Sequence, residues 1–217
     1  MPQLSVRHRR GVKDVQPPAY VRDGPPYAGV MSRTHSTSAT PVPSVSSVTD
    51  VLPATPAHAP GIVALRDELA RWMQTRGIDQ WREGEFTPAQ VEQEIAAGQW
   101  WVVEPESRPG EVLGSVRVIW EDLEIWGEQP EPAGYIHGVA VDRSLTGTGT
   151  GTRLLHAAET VIAASGRRIS RLDCDDNNPA LKRFYSGLGY TPRGTATFHV
   201  PGPDFWVTVL RMERPLP

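Results

Sequence analysis

Residues 146–159 read TGTGTGTRLLHAAE, so that Gly147, Gly149 and Gly151 stand between a strand-like and a helix-like run. Before them lies YIHGVAV, residues 135–141, and after them Leu154, Leu155, Ala158, Val161 and Ile162 recur at helical spacing on one face. Strand, glycine turn and amphipathic helix in direct succession constrain the chain to an α/β unit. Glycine tolerates positive φ and admits a ligand close to the backbone, so such a turn can aim several amide N–H groups and a helix N-terminus at one anion. Taken alone, a Gly/Thr alternation is equally a plain surface turn; the flanking elements are what favour a phosphate cradle.

Two well-known phosphate loops do not fit. A nucleoside-triphosphate loop needs lysine and then Ser or Thr after its last glycine, and no lysine follows any of these glycines. A dinucleotide fingerprint needs a third glycine where Leu154 stands.

The turn resembles motif A of the GNAT superfamily of N-acetyltransferases, in which a strand ending in a small-apolar-apolar triplet precedes Gln or Arg, two residues, Gly, one residue, Gly or Ala, and a leucine-rich helix. Here the strand ends Val139-Ala140-Val141, Gly149 and Gly151 match the two glycines, and Arg153, Leu154 and Leu155 follow. Thr146 departs from the family's Gln or Arg. A second stretch, RLDCDDNNPALKRFYSGLGY at 171–190, is similar to the family's fifth strand and motif B, with Asn178, Tyr185, Gly189 and Tyr190 at the matching places. The resemblance spans residues 45–213 and is most specific over 135–190.

It implies a mixed α/β fold: a central, mostly antiparallel sheet of about six or seven strands flanked by about four helices, splayed between strands 4 and 5. It also implies acetyl-CoA as co-substrate and no metal. The cofactor contacts carried over are the backbones of Val139 and Val141, the turn residues Thr146, Gly147, Thr148, Gly149, Gly151 and Thr152, and Asn178 and Tyr185. Asn178 before Pro179 also suits a helix N-cap, whatever its function.

Acetyl transfer to an amine requires a held thioester, a neutral amine, oxyanion stabilisation and a proton for the thiolate. The Val139 amide is the candidate oxyanion donor. Tyr185 matches the family tyrosine that protonates the departing sulfur, a role suited to a phenol with a pKa of about 10. Two residues are candidate bases. Asp173 stands where the ribosomal-protein alanine acetyltransferase branch carries a glutamate, and His137, on the preceding strand, needs little tuning. A water chain is the third route. Cys174 is expected to be a small core residue rather than a nucleophile.

For the acceptor, the informative segment is the one before strand 4. Glu121, Asp122, Glu124, Glu128 and Glu131 crowd it with Trp120 and Trp126, and no basic residue lies between Arg117 and Arg143. Carboxylates beside aromatic faces attract cationic amines, and a solvated acidic loop reads the same way. Trp81, Glu121, Asp122, Glu124 and Trp126 are the candidate acceptor residues. The expected acceptor is a primary amine of a small cationic molecule, antibiotic-like or polyamine-like. The alternatives are a protein or peptide N-terminus, or a silent acyl-CoA-binding module.

Composition narrows the rest. The chain has 217 residues, 22 basic and 25 acidic, for a net charge of −3, which supplies no polyanion-binding surface. Its single cysteine forms no intramolecular disulfide, and no apolar run approaches the roughly 20 residues of a membrane span. The first residues are basic but lack the apolar core of a secretory signal, so the expectation is a cytoplasmic monomer or homodimer engaging neither nucleic acid nor membrane. Residues 1–44, rich in Pro, Ser and Thr, lack periodicity and read as a disordered tail ahead of a domain at 45–217.

Within that domain the pattern predicts a strand at 46–52 and a helix carrying Ile62, Leu65, Leu69 and Trp72 that ends near Gly77. A second helix is capped by Thr87-Pro88-Ala89-Gln90. Strands are expected at 99–104, 112–120, 134–141 and 169–174, helices at 150–165 and 179–187, and closing strands at 192–199 and 204–212.

Overall fold

The computed structural model describes residues 48–78, 80–200 and 205–217. The tail predicted at 1–44 lies outside the described residues. Helices begin where the local chemistry dictates. At Thr87 the hydroxyl accepts from the Gln90 amide (3.3 Å), the Gln90 side chain accepts from the Thr87 amide (2.9 Å), and α2 runs over Pro88–Ala96. Asn178 accepts from the Ala180 and Leu181 amides, both at 3.1 Å, and starts α5, Pro179–Gly187. In α1, Ala59–Gln74, the residues Ile62, Leu65, Leu69 and Met73 form one buried stripe. In α4, Thr150–Ala164, Leu154, Leu155, Ala158 and Ile162 are wholly buried.

The strands are β1 (Leu52–Pro53), β2 (Trp100–Val103), β3 (Gly114–Ile119), β4 (Gly134–Val141), β5 (Ile169–Asp175), β6 (Thr191–Val200) and β7 (Phe205–Pro215). They form one sheet in the order β1-β2-β3-β4-β5-β7-β6. Every pairing is antiparallel except β4 with β5. This is the mixed, mostly antiparallel sheet expected.

Two local expectations change. Of the strand predicted at 46–52, residues 46 and 47 lie outside the described residues, and the rest carries Leu52–Pro53 plus an isolated bridge between Val48 and Pro105. Leu52 lies four positions beyond Val48 whereas Pro105 lies three beyond Val102, so one residue bulges out of the ladder. A short helix not foreseen, α3 (Leu123–Trp126), makes five α-helices among the described residues rather than about four. The Asp122 carboxylate caps it, accepting from the Ile125 amide at 3.2 Å.

Apolar side chains cover both sheet faces. On one, α4 and α5 pack onto Val116, Val118, Ile136, Leu172 and Met212; on the other, α1 and α2 pack onto Trp100, Val102 and Ala140. A smaller cluster of Trp126, Ala133 and Tyr135 sits under α3. Tyr190, from the motif B stretch, is structural here. Its hydroxyl donates to Glu159 of α4 (2.9 Å) and meets Ser170 of β5 (2.7 Å), while Arg214 of β7 also binds Glu159 (2.9 Å).

Candidate active site

Two breaks in the sheet create the site. β4 and β5 pair only from Gly134–Ile136 to Ser170–Leu172, after which their ladder ends. Residues 137–141 therefore have no β5 partner on that side, which leaves backbone groups available to a ligand. In addition, the β3–β4 register shifts between Ser115, opposite Ala140, and Arg117, opposite His137. Gly138, with φ +59°, absorbs this bulge, and its carbonyl accepts from the Ser115 hydroxyl at 3.3 Å. The bulge lets Val139 and Val141 pack with the α4 core while Ala140 joins the opposite one.

At the end of β4 the glycine turn wraps onto α4. Asp142 accepts from the Ser144 amide (2.8 Å), the Thr146 hydroxyl donates to the Arg143 carbonyl (2.9 Å), and the Thr148 hydroxyl donates to that of Leu145 (2.7 Å). Gly147 and Gly149 take φ +81° and +84°, in the left-handed region. The first bond of α4 runs from the Arg153 amide to Gly149, so the amides of Thr150, Gly151 and Thr152 are the orphan donors of a helix start. A Cβ at Gly151 would lie 3.6 Å from Phe184 and 3.9 Å from Val141, so any longer side chain there would enter the gap between those two residues. Unclaimed amides and a gap kept open by glycine fit the pyrophosphate and pantetheine arm of acetyl-CoA. The Thr146 hydroxyl, already used on the backbone, adds no positive charge.

On the sheet face away from α4, His137 stands between two carboxylates. Its Nε2 lies 3.2 Å from Asp122 Oδ2 and its Nδ1 3.8 Å from Asp173 Oδ1. Asp122 is turned inward, its side chain only 7% exposed, whereas Glu121 and Glu124 face solvent. Burial holds the Asp173 carboxyl above its usual range; the neighbouring Asp122 adds to that and His137 opposes it. The donor atoms of the three residues lie within 4.8 Å of one another, the spacing a metal ion would also need.

Tyr185 is 6% exposed and packs against Phe184 and Tyr190. Burial raises its pKa far beyond the ordinary phenol value, and Cys174 and Asp173 add to the rise. The phenol therefore stays protonated across the working pH range, so the pKa near 10 expected from the sequence does not apply. Cys174 is a buried core residue whose thiol burial pushes up to about 11, so it is no ready nucleophile.

Two aromatic candidates are each engaged by an arginine. Trp81 stacks under the Arg66 guanidinium at 4.2 Å, beside Phe86. Trp126, expected to present a face to a cationic amine, is only 4% exposed because α3 folds it over Tyr135 and Arg171. Sequence reasoning also missed two arginines. In the β5–β7 register Arg211 is opposite Asp173, and Arg171 is opposite Glu213, which it binds at 2.9 Å. Cross-strand register alone reveals such neighbours.

Comparisons with known proteins agree with this geometry. The acetyltransferase (GNAT) family matches residues 64–190. The chain is 32% identical over 143 residues to YesJ, an uncharacterized N-acetyltransferase of Bacillus subtilis (strain 168), covering 64% of this chain and 79% of that one. In structure it is similar to a GNAT-family acetyltransferase from Listeria monocytogenes, with TM-score 0.60, 24% identity, and 76% and 94% of the two chains covered. It is also similar to YncA from Salmonella typhimurium, solved with its cofactor acetyl-CoA, with TM-score 0.59, 18% identity, and 79% and 95% covered.

Proposed function

Since this chain belongs to the GNAT family and is an N-acetyltransferase, we propose that it moves the acetyl group of acetyl-CoA directly to a primary amine of a small cationic molecule. The observation that carries the reading is the His137 group, with Asp122 and Asp173, beside the gap between β4 and β5.

Held along the gap, acetyl-CoA supplies a thioester whose carbonyl carbon bonds to the amine nitrogen as its bond to sulfur breaks. The residues divide the remaining work. The amine arrives protonated and must lose a proton; His137 accepts it, and the carboxylates at 3.2 and 3.8 Å stabilise the imidazolium that results. The Val139 amide, beside the Gly138 bulge, donates to the oxygen on which negative charge develops. Tyr185 returns a proton to the departing sulfur. Its phenol is protonated at neutral pH, the state this role requires, and burial, by raising its pKa, makes it the weaker acid.

The cationic character of the acceptor is supported by Glu121 and Glu124, exposed beside the inward Asp122. Such a cluster concentrates cations near the site. The test is to mix the protein with acetyl-CoA and a panel of primary amines, cationic and neutral, and follow free thiol. Amine-dependent thiol release with N-acetylated product, fastest for the cationic members, is the expected outcome. Calorimetric binding of acetyl-CoA with no thiol released from any amine would instead mark a silent binding module.

A further inference from the structure

A cavity of about 340 Å³ is lined by Trp126, Gln129, Arg193, Arg211 and Glu213, and its Arg211 stands opposite Asp173 of the His137 group in the β5–β7 register. Its unsatisfied atoms are donors. Among the described residues the indole N–H of the buried Trp126 has no hydrogen-bond partner, and neither has the buried Nε of Arg211. Among the described residues Arg211 makes no ion pair; its guanidinium sits 5.7 Å from the Trp126 ring. A buried donor without a partner is costly unless water or a ligand supplies an acceptor.

The nearby carboxylates are already committed. Glu213 takes Arg171 at 2.9 Å on one oxygen and Arg193 at 2.8 and 3.0 Å on the other. Burial favours its protonation, yet these two arginines hold it below its ordinary value, so it stays ionised and engaged. Asp173, opposite Arg211 across the ladder, turns to His137 instead. Two guanidinium groups thus saturate Glu213, and the third in the cavity lining, that of Arg211, has no carboxylate paired with it among the described residues.

We propose that this cavity receives a carboxylate carried by the acceptor, bound by the Arg211 guanidinium and the Trp126 indole N–H while the acceptor's amine reaches His137. The inference rests on the acetyl-transfer reading of the His137 group and narrows it to amines that are also acids. β5 separates β4 from β7, strands are spaced by about 4.8 Å, and His137 lies just past the end of the β4–β5 ladder, so roughly 10 Å or more separates the backbones bearing His137 and Arg211. Side chains reaching in from both ends leave a span suited to several carbons between carboxylate and amine. A guanidinium and a single N–H together match the two oxygens of a carboxylate.

The experiment pairs acceptors that differ by that one group: 6-aminohexanoate against hexylamine, and ornithine against putrescine. KM is read by thiol release for the wild type, Arg211→Met and Trp126→Phe. In the wild type the acid-bearing member of each pair is expected to have a KM lower by about tenfold or more. Arg211→Met should erase that ratio by raising KM for the acids. Trp126→Phe keeps an aromatic ring, though a smaller one, and loses the N–H; it should narrow the ratio by roughly threefold, and it provides the test if Arg211→Met does not fold. Equal or lower KM for hexylamine and putrescine in the wild type, no acetylation of either acid, or an unchanged ratio in the folded variants overturns the proposal. A preference for putrescine would do so while leaving acetyl transfer to a cationic amine standing. Absence of thiol release from every amine would remove that underlying reading itself.

Discussion

Gly134 opens β4, and its conformation is one that other residues can adopt; what demands glycine is space. A Cβ built there would stand 2.3 Å from Ile162 Cγ1, 2.7 Å from Cδ1 and 2.9 Å from Cγ2. The nearest approach is ~1 Å closer than two carbons pack. Ile162 is wholly buried on α4 and β-branched, so it has little rotamer freedom with which to retreat. Gly134→Ala must push β4 and α4 apart, an overpacking cost at the upper end of about 1–3 kcal/mol. For a domain of this size that corresponds to a fall in Tm of roughly 6–12 °C. Because β4 carries His137 and Val139 while α4 carries the glycine turn, KM for acetyl-CoA should rise as well. The assay is a double-mutant cycle by thermal and urea unfolding. Ile162→Ala alone leaves a cavity and is expected to cost about 2–5 kcal/mol. In that background the methyl of Gly134→Ala has room, so the second substitution should be neutral or stabilising. Equal destabilisation by Gly134→Ala in both backgrounds, or none in the wild type, would refute the steric argument.

Four further outcomes are expected. Tyr185→Phe should lower kcat by about 10²-fold with little change in acetyl-CoA affinity; because burial lifts the phenol out of the accessible range, the variant should keep any alkaline limb of the wild-type profile, and a near wild-type kcat would return Tyr185 to a packing role. Gly149→Val places a β-branched residue at φ +84°, a strain of about 1–2 kcal/mol, and should abolish acetyl-CoA binding by calorimetry in a protein that still melts cooperatively. Asp173 has a raised folded-state pKa, so the folded chain retains a proton that the unfolded chain has lost, and stability falls as pH rises through the folded value. Asp173→Asn lacks that loss and should be the more stable protein at neutral pH and the less active one, the stability difference vanishing below about pH 4; urea titrations across pH that show the variant less stable throughout would contradict this. Glu121→Gln with Glu124→Gln should raise KM for cationic acceptors and leave that for acetyl-CoA, an effect that added salt reproduces in wild type; equal kinetics for charged and neutral amines would mark a solvated loop.

Local features were legible without the fold. The Thr87 capping box, Asn178-Pro179, the glycine turn before α4 and the apolar stripe of α1 are each defined within a few residues, and the structure places those helices and most strands within about three residues of the sequence pattern. A cap or a helical stripe is decided by neighbours three or four positions away, and those are printed in the chain. The two motifs at 135–190 likewise carried the family, and with it the sheet and its splay.

The order of the chain alone determined that a strand, a glycine cradle and a helix would meet, and that His137, Asp173 and Tyr185 were candidates. Only the tertiary structure decided what each side chain faces. Asp122 leaves an acidic run to cap α3 and approach His137, and Trp126 sinks beneath that helix instead of offering its face. Arg211 arrives opposite Asp173 from nearly forty positions along the chain. The reason is register: side chains alternate across a sheet with period two, so a single bulge such as that at Gly138 reverses the facing of every residue beyond it. That slip depends on how β3 and β4 pair, a long-range choice that no short stretch of sequence contains.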